Sequence, residues 1–183
     1  MFECFIVALA FVLVSFPLPP LAAVLVLLVT AILILPGCLA MRTGAPYVAT
    51  PKPYRRTMTE LAAIKPGERV VDLGSGDGSL LKEAARRGAT AIGYELSLPL
   101  YALSSLRLLL YPSASVRLQD FWRQDLRDAD VVFIFQLPEV MVKFHQQLWP
   151  QLKTGSRVIS YSFTMKDLVP RSQIGDVFLY VKE

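Results

Sequence analysis

The sequence predicts an α/β chain, a mainly parallel sheet with helices on both faces, preceded by an N-terminal helical membrane anchor. Three observations predict it. From residue 69 onward short apolar runs alternate with amphipathic stretches, the pattern of strands joined by crossover helices. One run, Val70-Val71-Asp72-Leu73, breaks into Gly74-Ser75-Gly76-Asp77-Gly78, a turn that leads a buried strand into a helix. The composition also divides near residue 41: the first 41 residues hold one charged side chain, Glu3, and all 19 Lys and Arg lie from Arg42 onward.

Within residues 1–41, Phe5 to Phe16 and Leu21 to Leu35 are apolar runs of 12 and 15 residues. At about 1.5 Å per residue neither crosses a ~30 Å hydrocarbon core, although extension through Pro36 to Met41 brings the second near the ~20 residues a span needs. Pro17-Leu18-Pro19-Pro20 separates the runs, giving either a helical hairpin or one span after a shorter helix. Met1-Phe2-Glu3 lacks the basic start of a cleaved signal, so the anchor is read as uncleaved. Residues 42–56 form a basic juxtamembrane segment, with Arg42, Lys52, Arg55 and Arg56 ahead of the first acid, Glu60. The positive-inside rule then sets the domain of residues 57–183 on the cytoplasmic side of a membrane, the bacterial inner membrane, and the same cations suit anionic head groups.

The domain reads as strands at 69–73, 90–94, 115–118, 130–135, 157–161 and 176–182. Helices are expected from near Pro53 and over 78–87, 98–110 and 138–152. Residues 42–183 hold 19 basic and 14 acidic side chains, a mild +5. The basic residues are scattered, with no aromatic platform among them, which argues against a nucleic-acid partner. Cys4 and Cys38 both fall in the apolar segment and give neither a metal site nor a disulfide framework. His145, the one histidine, stands mid-helix in a polar stretch and reads as a solvated side chain.

The candidate site residues fall where parallel strands end, the place where such sheets bind ligands. Glu95, 21 residues after Gly74, closes the second strand, and a carboxylate there suits two ribose hydroxyls. The spacing Gly74, Gly76, Gly78 is not the G-x-G-x-x-G of dinucleotide sites, and Asp77 inside the turn would face a phosphate and repel it. A cationic cofactor without phosphates fits better: S-adenosylmethionine. Asp120 and Phe121 after the third strand suit an adenine amino group and ring, with Asp120 as an ordinary helix N-cap the alternative. Gln136 after the fourth strand can present a carbonyl oxygen to an incoming amine, placing it at the acceptor end rather than in the core. Tyr161, in Ser160-Tyr161-Ser162-Phe163 after the fifth, is either a catalytic hydroxyl or a core aromatic.

Asp72, Gly74, Gly76 and Gly78 with the second-strand Glu95 resemble the first motif of the class I methyltransferases. Further stretches are similar to the ATP synthase c-subunit lysine methyltransferase family and its small archaeal protein-lysine methyltransferase relatives. They are Gly44-Ala45-Pro46-Tyr47-Val48-Ala49-Thr50-Pro51, Gly93-Tyr94-Glu95, Asp120-Phe121-Trp122, Leu137-Pro138, and Leu152-Lys153-Thr154-Gly155-Ser156-Arg157-Val158-Ile159-Ser160 with Phe163 and Pro170. The resemblance implies a Rossmann-like class I core, S-adenosylmethionine as donor and a protein lysine as acceptor. It also implies a cofactor set of Tyr47, Asp72, Gly74, Ser75, Gly76, Asp77, Gly78, Glu95, Leu96, Asp120 and Phe121; Gln136 and Tyr161 are the candidates toward catalysis from their own places after the fourth and fifth strands, and no metal is expected. The chain departs from the family at its short C-terminus, which leaves the completeness of the usual final antiparallel pair open. It also carries Leu168 and Val169 where an aromatic residue is expected before Pro170. The expected function is a membrane-held, cytoplasm-facing protein-lysine methyltransferase. The alternatives are methyl transfer to a lipid or quinone-like molecule, and a protein that binds S-adenosylmethionine without turnover.

Overall fold

The computed structural model describes residues 19–43 and 48–183, the side chains of 33–43 excepted. Seven strands make one sheet in the order β3-β2-β1-β4-β5-β7-β6. They are β1 (Arg69–Leu73), β2 (Thr90–Glu95), β3 (Ala114–Leu118), β4 (Val131–Ile134), β5 (Arg157–Tyr161), β6 (Ser172–Ile174) and β7 (Val177–Val181). The first five run parallel, while β7 is antiparallel to β5 and β6 antiparallel to β7, so the final antiparallel pair is complete. Val70 to Leu73 pair with Val131 to Ile134 at the centre, where the order of the chain along the sheet reverses. That reversal opens a crevice beyond the carboxyl ends of β1 and β4.

The helices are α1 (Pro20–Thr43), α2 (Lys52–Leu61), α3 (Ser79–Arg86), α4 (Leu98–Leu108) and α5 (Pro138–Gln147). β4, with the sequence Val-Val-Phe-Ile, is buried at all four positions because helices cover both faces, which is why it reads as a continuous apolar run. On one face Met58 of α2 and Leu81 and Ala84 of α3 pack on Val70, Phe133 and Ile159. On the other, Met141 and Phe144 of α5 pack on Val71, Val132 and Ile134. A fully buried side chain of this size contributes about 1.5–3 kcal/mol, so the two cores hold the central strands from both sides. The helix expected over 138–152 ends at Gln147, and a three-residue 3-10 turn, Trp149–Gln151, follows. Trp149 precedes Pro150, whose ring disfavours helical backbone at the residue before it.

The membrane-spanning anchor expected over residues 1–41 finds no support among the described residues, where no helix is long and apolar enough to cross a membrane. Phe5 to Phe16, the first apolar run, lies outside the described residues. The described part of α1 exposes Leu21, Val24, Leu25, Leu28 and Ile32, and the helix lies against α4.

Candidate active site

The turn after β1 passes close to two other elements. Gly74, Gly76 and Gly78 have φ of 81°, 53° and 72°, the left-handed region that glycine enters without a Cβ penalty. A Cβ on Gly74 would lie 2.6 Å from Nε2 of Gln136, and one on Gly78 would strike Oγ of Ser104 on α4. The N–H groups of Gly74 and Ser75 both donate to the Tyr94 carbonyl at 3.0 Å, which fastens the turn to β2. Ser75 is buried against Gly93, where a Cβ would come within 2.5 Å of it.

Glu95 is the second fastening. Its Oε2 accepts from the Gly76 N–H at 2.8 Å, while Oε1 accepts from the N–H groups of Leu96 at 2.9 Å and Ser97 at 2.8 Å. A carboxylate has about four acceptor directions, so a ligand hydroxyl at Glu95 shares or exchanges with these backbone donors. Asp72, buried on β1, has its carboxyl pushed up to about 8, first by burial and then by the neighbouring charges of Asp77 and Glu95. A cation placed beside it would draw that proton off.

Asp77 does not face the crevice as its position in the glycine run suggests. Its carboxylate pairs with Arg107 of α4 at 2.5 Å and accepts from the N–H and hydroxyl of Ser79, the first residue of α3, each at 3.0 Å. Burial works against its charge, but Arg107 and Ser79 outweigh it and hold the carboxyl below the usual range. The charge of Asp77 is answered within the protein, which leaves Asp72 and Glu95 as the acidic groups beside the turn. Nothing in the sequence marks Arg107; 30 residues separate it from Asp77, and only the packing of α4 on α3 brings them together.

Asp120 follows β3 and caps the 3-10 turn Phe121–Arg123, accepting from the Trp122 N–H at 3.0 Å, the alternative role for this residue. Phe121 packs on Trp122 with ring centroids 4.7 Å apart and is 7% exposed, within the core below the crevice. Gln136 follows β4 and is equally buried, at 7%, with its Nε2 donating to the Leu73 carbonyl at 3.4 Å. It therefore joins the ends of β1 and β4 from inside the core, and its place beside Gly74 keeps it at the floor of the crevice.

Tyr161, at the end of β5, lies 4.6 Å from the ring of Tyr54 on α2 and 4.7 Å from that of Phe135, just past β4. Burial first, then Tyr54 and Asp176, raises its hydroxyl above the ordinary range, so it stays protonated. Tyr54 and Phe135 escape sequence reasoning as well, because nothing in their local sequence separates a rim aromatic from a core one. Together the three rings gather π-faces suited to a cation or an amine at the carboxyl ends of β4 and β5. Tyr47 lies outside the described residues.

A model of the ANTKMT methyltransferase domain matches residues 72–172. Adenine nucleotide translocase lysine N-methyltransferase of Mus musculus is 32% identical over 80% of this chain and 66% of its own length. The ATP synthase c-subunit lysine N-methyltransferase of Homo sapiens is 33% identical over 58% of this chain and 47% of its own. The chain thus spans between about half and two thirds of these two relatives. A protein-lysine N-methyltransferase of Saccharolobus islandicus is 32% identical over 70% of this chain and 83% of its own length. Among solved structures, an RNA methyltransferase from Salinibacter ruber in complex with S-adenosyl-L-homocysteine is 32% identical, with a TM-score of 0.70 over 74% of this chain and 94% of that one.

Proposed function

The chain belongs to the ANTKMT methyltransferase-domain family, and on that footing we propose that it is an S-adenosylmethionine-dependent methyltransferase acting on a protein lysine. The observation that carries the proposal is the glycine turn fastened to Glu95 beside the buried Asp72, at the crevice between β1 and β4. Two carboxyl groups at that spot fit a donor carrying a sulfonium and an amino group. When bound, S-adenosylmethionine supplies an electrophilic methyl group. Glu95 and the N–H groups around it would hold its ribose, and Asp72 would answer its positive charge. The aromatic rim of Tyr54, Phe135 and Tyr161 would receive the lysine side chain and keep water from it. Held there, the neutral amine would have its lone pair directed at that methyl group. Positioning supplies most of the rate in such a transfer, in keeping with a site built of packed rings and hydrogen-bonded turns.

Purified protein incubated with methyl-labelled S-adenosylmethionine and membranes from a strain lacking the gene tests this. Label in a protein band, on lysine after hydrolysis, supports the reading. Label in the organic extract selects a lipid or quinone-like acceptor, label in RNA selects an acceptor of the kind the Salinibacter enzyme is named for, and binding without transfer selects the non-catalytic alternative. The apolar composition of residues 1–41 and the cations after it support a membrane-held chain with its domain on the cytoplasmic side. A reporter fused after Glu183 should then be active as a cytoplasmic marker and silent as an exported one, and export would remove this orientation.

A further inference from the structure

A cleft of about 660 Å³ opens between α2, α3 and the C-terminal end of α4, away from the crevice floor. Among the described residues six cations line it: Lys52, Arg55 and Arg56 from α2, Lys82 from α3, Arg87 just beyond it, and Arg107 from α4. Glu60 and Glu83 are the lining acids among the described residues and Asp77 pairs with Arg107, so the cleft with Asp77 carries a net charge of +3. Three of these cations stand in the juxtamembrane stretch of the sequence; the fold adds the other three from residues 82–107. Beside the cleft, α4 and the turn after it expose Leu103, Leu106, Leu109 and Leu110 at 46%, 68%, 74% and 86%. Leu103, Leu106 and Leu110 follow the i, i+3, i+7 spacing of one helical stripe, and Arg107 stands four residues from Leu103 and three from Leu110. A soluble surface rarely leaves four neighbouring leucines uncovered. The exposed aliphatic side chains of α1, which lies against α4, extend the same apolar surface.

We propose that this surface docks the domain on an anionic lipid bilayer, the leucine ridge of α4 entering the boundary between head groups and acyl chains and the cationic cleft receiving lipid phosphates. Charge complementarity selects a lipid surface over a protein groove. Apolar side chains flanked by an excess of cations match the layered chemistry of a phospholipid interface, with hydrocarbon beneath and anions at its level. The docking needs no membrane-spanning helix. It also has a geometric outcome, because Arg107 and Ser79 border both the cleft and the glycine turn, and Lys52 stands two residues before Tyr54. The rim of the crevice would then lie beside the head groups. The inference is independent of the methyl-transfer reading.

The test uses the full chain with Cys4→Ser and Cys38→Ser and one cysteine introduced as Leu106→Cys, Leu110→Cys or, on the opposite face of the sheet, Gln146→Cys. Each carries an environment-sensitive fluorophore and is added to vesicles of phosphatidylcholine alone or of equimolar phosphatidylcholine and phosphatidylglycerol, both with spin-labelled acyl chains. Residues 1–41 can hold the chain on either vesicle, so the readout is quenching at the labelled site and not binding. Labels at 106 and 110 should be quenched on the anionic vesicles and much less on the neutral ones, with the label at 146 bright on both. Lys52→Glu with Lys82→Glu should lower the quenching at 106, each lost cation weakening surface partition about fivefold. Thermal melting of each labelled protein confirms that it is folded. Bright labels at 106 and 110 on anionic vesicles, equal quenching on neutral ones, or equal quenching at 146 would each overturn the proposal.

Discussion

Replacing Glu95 by Gln tests the clamp on the glycine turn and the proposed cofactor contact at once. The carboxylate accepts from Gly76 through one oxygen and from Leu96 and Ser97 through the other. The amide that preserves most of this keeps its oxygen toward Leu96 and Ser97 and turns its NH2 toward the Gly76 N–H, so that two donors face each other. Leaving a buried donor unsatisfied costs about 1–3 kcal/mol. For a chain of this size that corresponds to a fall in melting temperature of roughly 2–12 °C. Loss of the charged hydrogen bonds to a ribose should cost about 1.5–3 kcal/mol more in binding, or roughly ten- to a hundredfold in affinity for S-adenosylmethionine. Sequence reasoning alone expects the affinity loss with an intact fold; the geometry adds the loss of stability. Melting without ligand and calorimetric titration on the same preparation separate the two roles. An unchanged melting temperature would refute the clamp, and unchanged affinity would remove Glu95 from the cofactor site.

Asp72 should make stability depend on pH. Its folded-state value of about 8 stands above the ordinary 3.8, so the folded chain holds a proton that the unfolded chain releases, and stability should fall as pH rises from about 4 to 8. Asp72→Asn should flatten that decline in a melting series, and an unaltered slope would reject the assignment. Titration of the unsubstituted protein with S-adenosylmethionine near neutral pH should release protons, seen as a binding heat that changes with the ionisation heat of the buffer. Gln136→Leu should hold S-adenosylmethionine affinity within about twofold while lowering single-turnover methyl transfer by something like 10²; an unchanged rate per folded molecule would leave Gln136 only its tie between β1 and β4. Gly93→Ala puts a Cβ 2.5 Å from Ser75 Cβ and 2.6 Å from Leu81 Cδ1 and should destabilise by about 1–3 kcal/mol, whereas an unshifted melting curve would show that β2 yields there.

The central strands were legible because burial on both faces forces apolar runs: Val70 to Leu73 and Val131 to Ile134 announce themselves by composition. β6 was not, since all of Ser172, Gln173 and Ile174 are exposed on the sheet edge and no alternation marks them. The glycine turn and Glu95 could be placed at strand ends from spacing alone. What spacing does not carry is direction: that Asp77 turns to Arg107, that Asp120 caps the next turn, or that the Glu95 carboxylate reaches back to Gly76 depends on side-chain contacts between distant segments. The aromatic rim was half legible, with Tyr161 visible after an apolar strand and Tyr54 hidden in a helix whose packing on β5 is a tertiary fact.

The approach of Gln136 to Gly74 bears on how such a site can diverge over evolution. The amide nitrogen occupies the space that a side chain at position 74 would need, 2.6 Å from its would-be Cβ, so the two positions form one steric unit across 62 residues of chain. A larger residue at 74 requires the Gln136 amide to swing aside and give up its hydrogen bond to the Leu73 carbonyl. If Gln136 first shrinks to alanine, only the left-handed backbone penalty at φ 81° remains, about 1–2 kcal/mol. The order of mutation therefore matters: a lineage that first changes the residue at the floor of the crevice meets only the backbone penalty at 74, and the reverse path must also displace a buried amide.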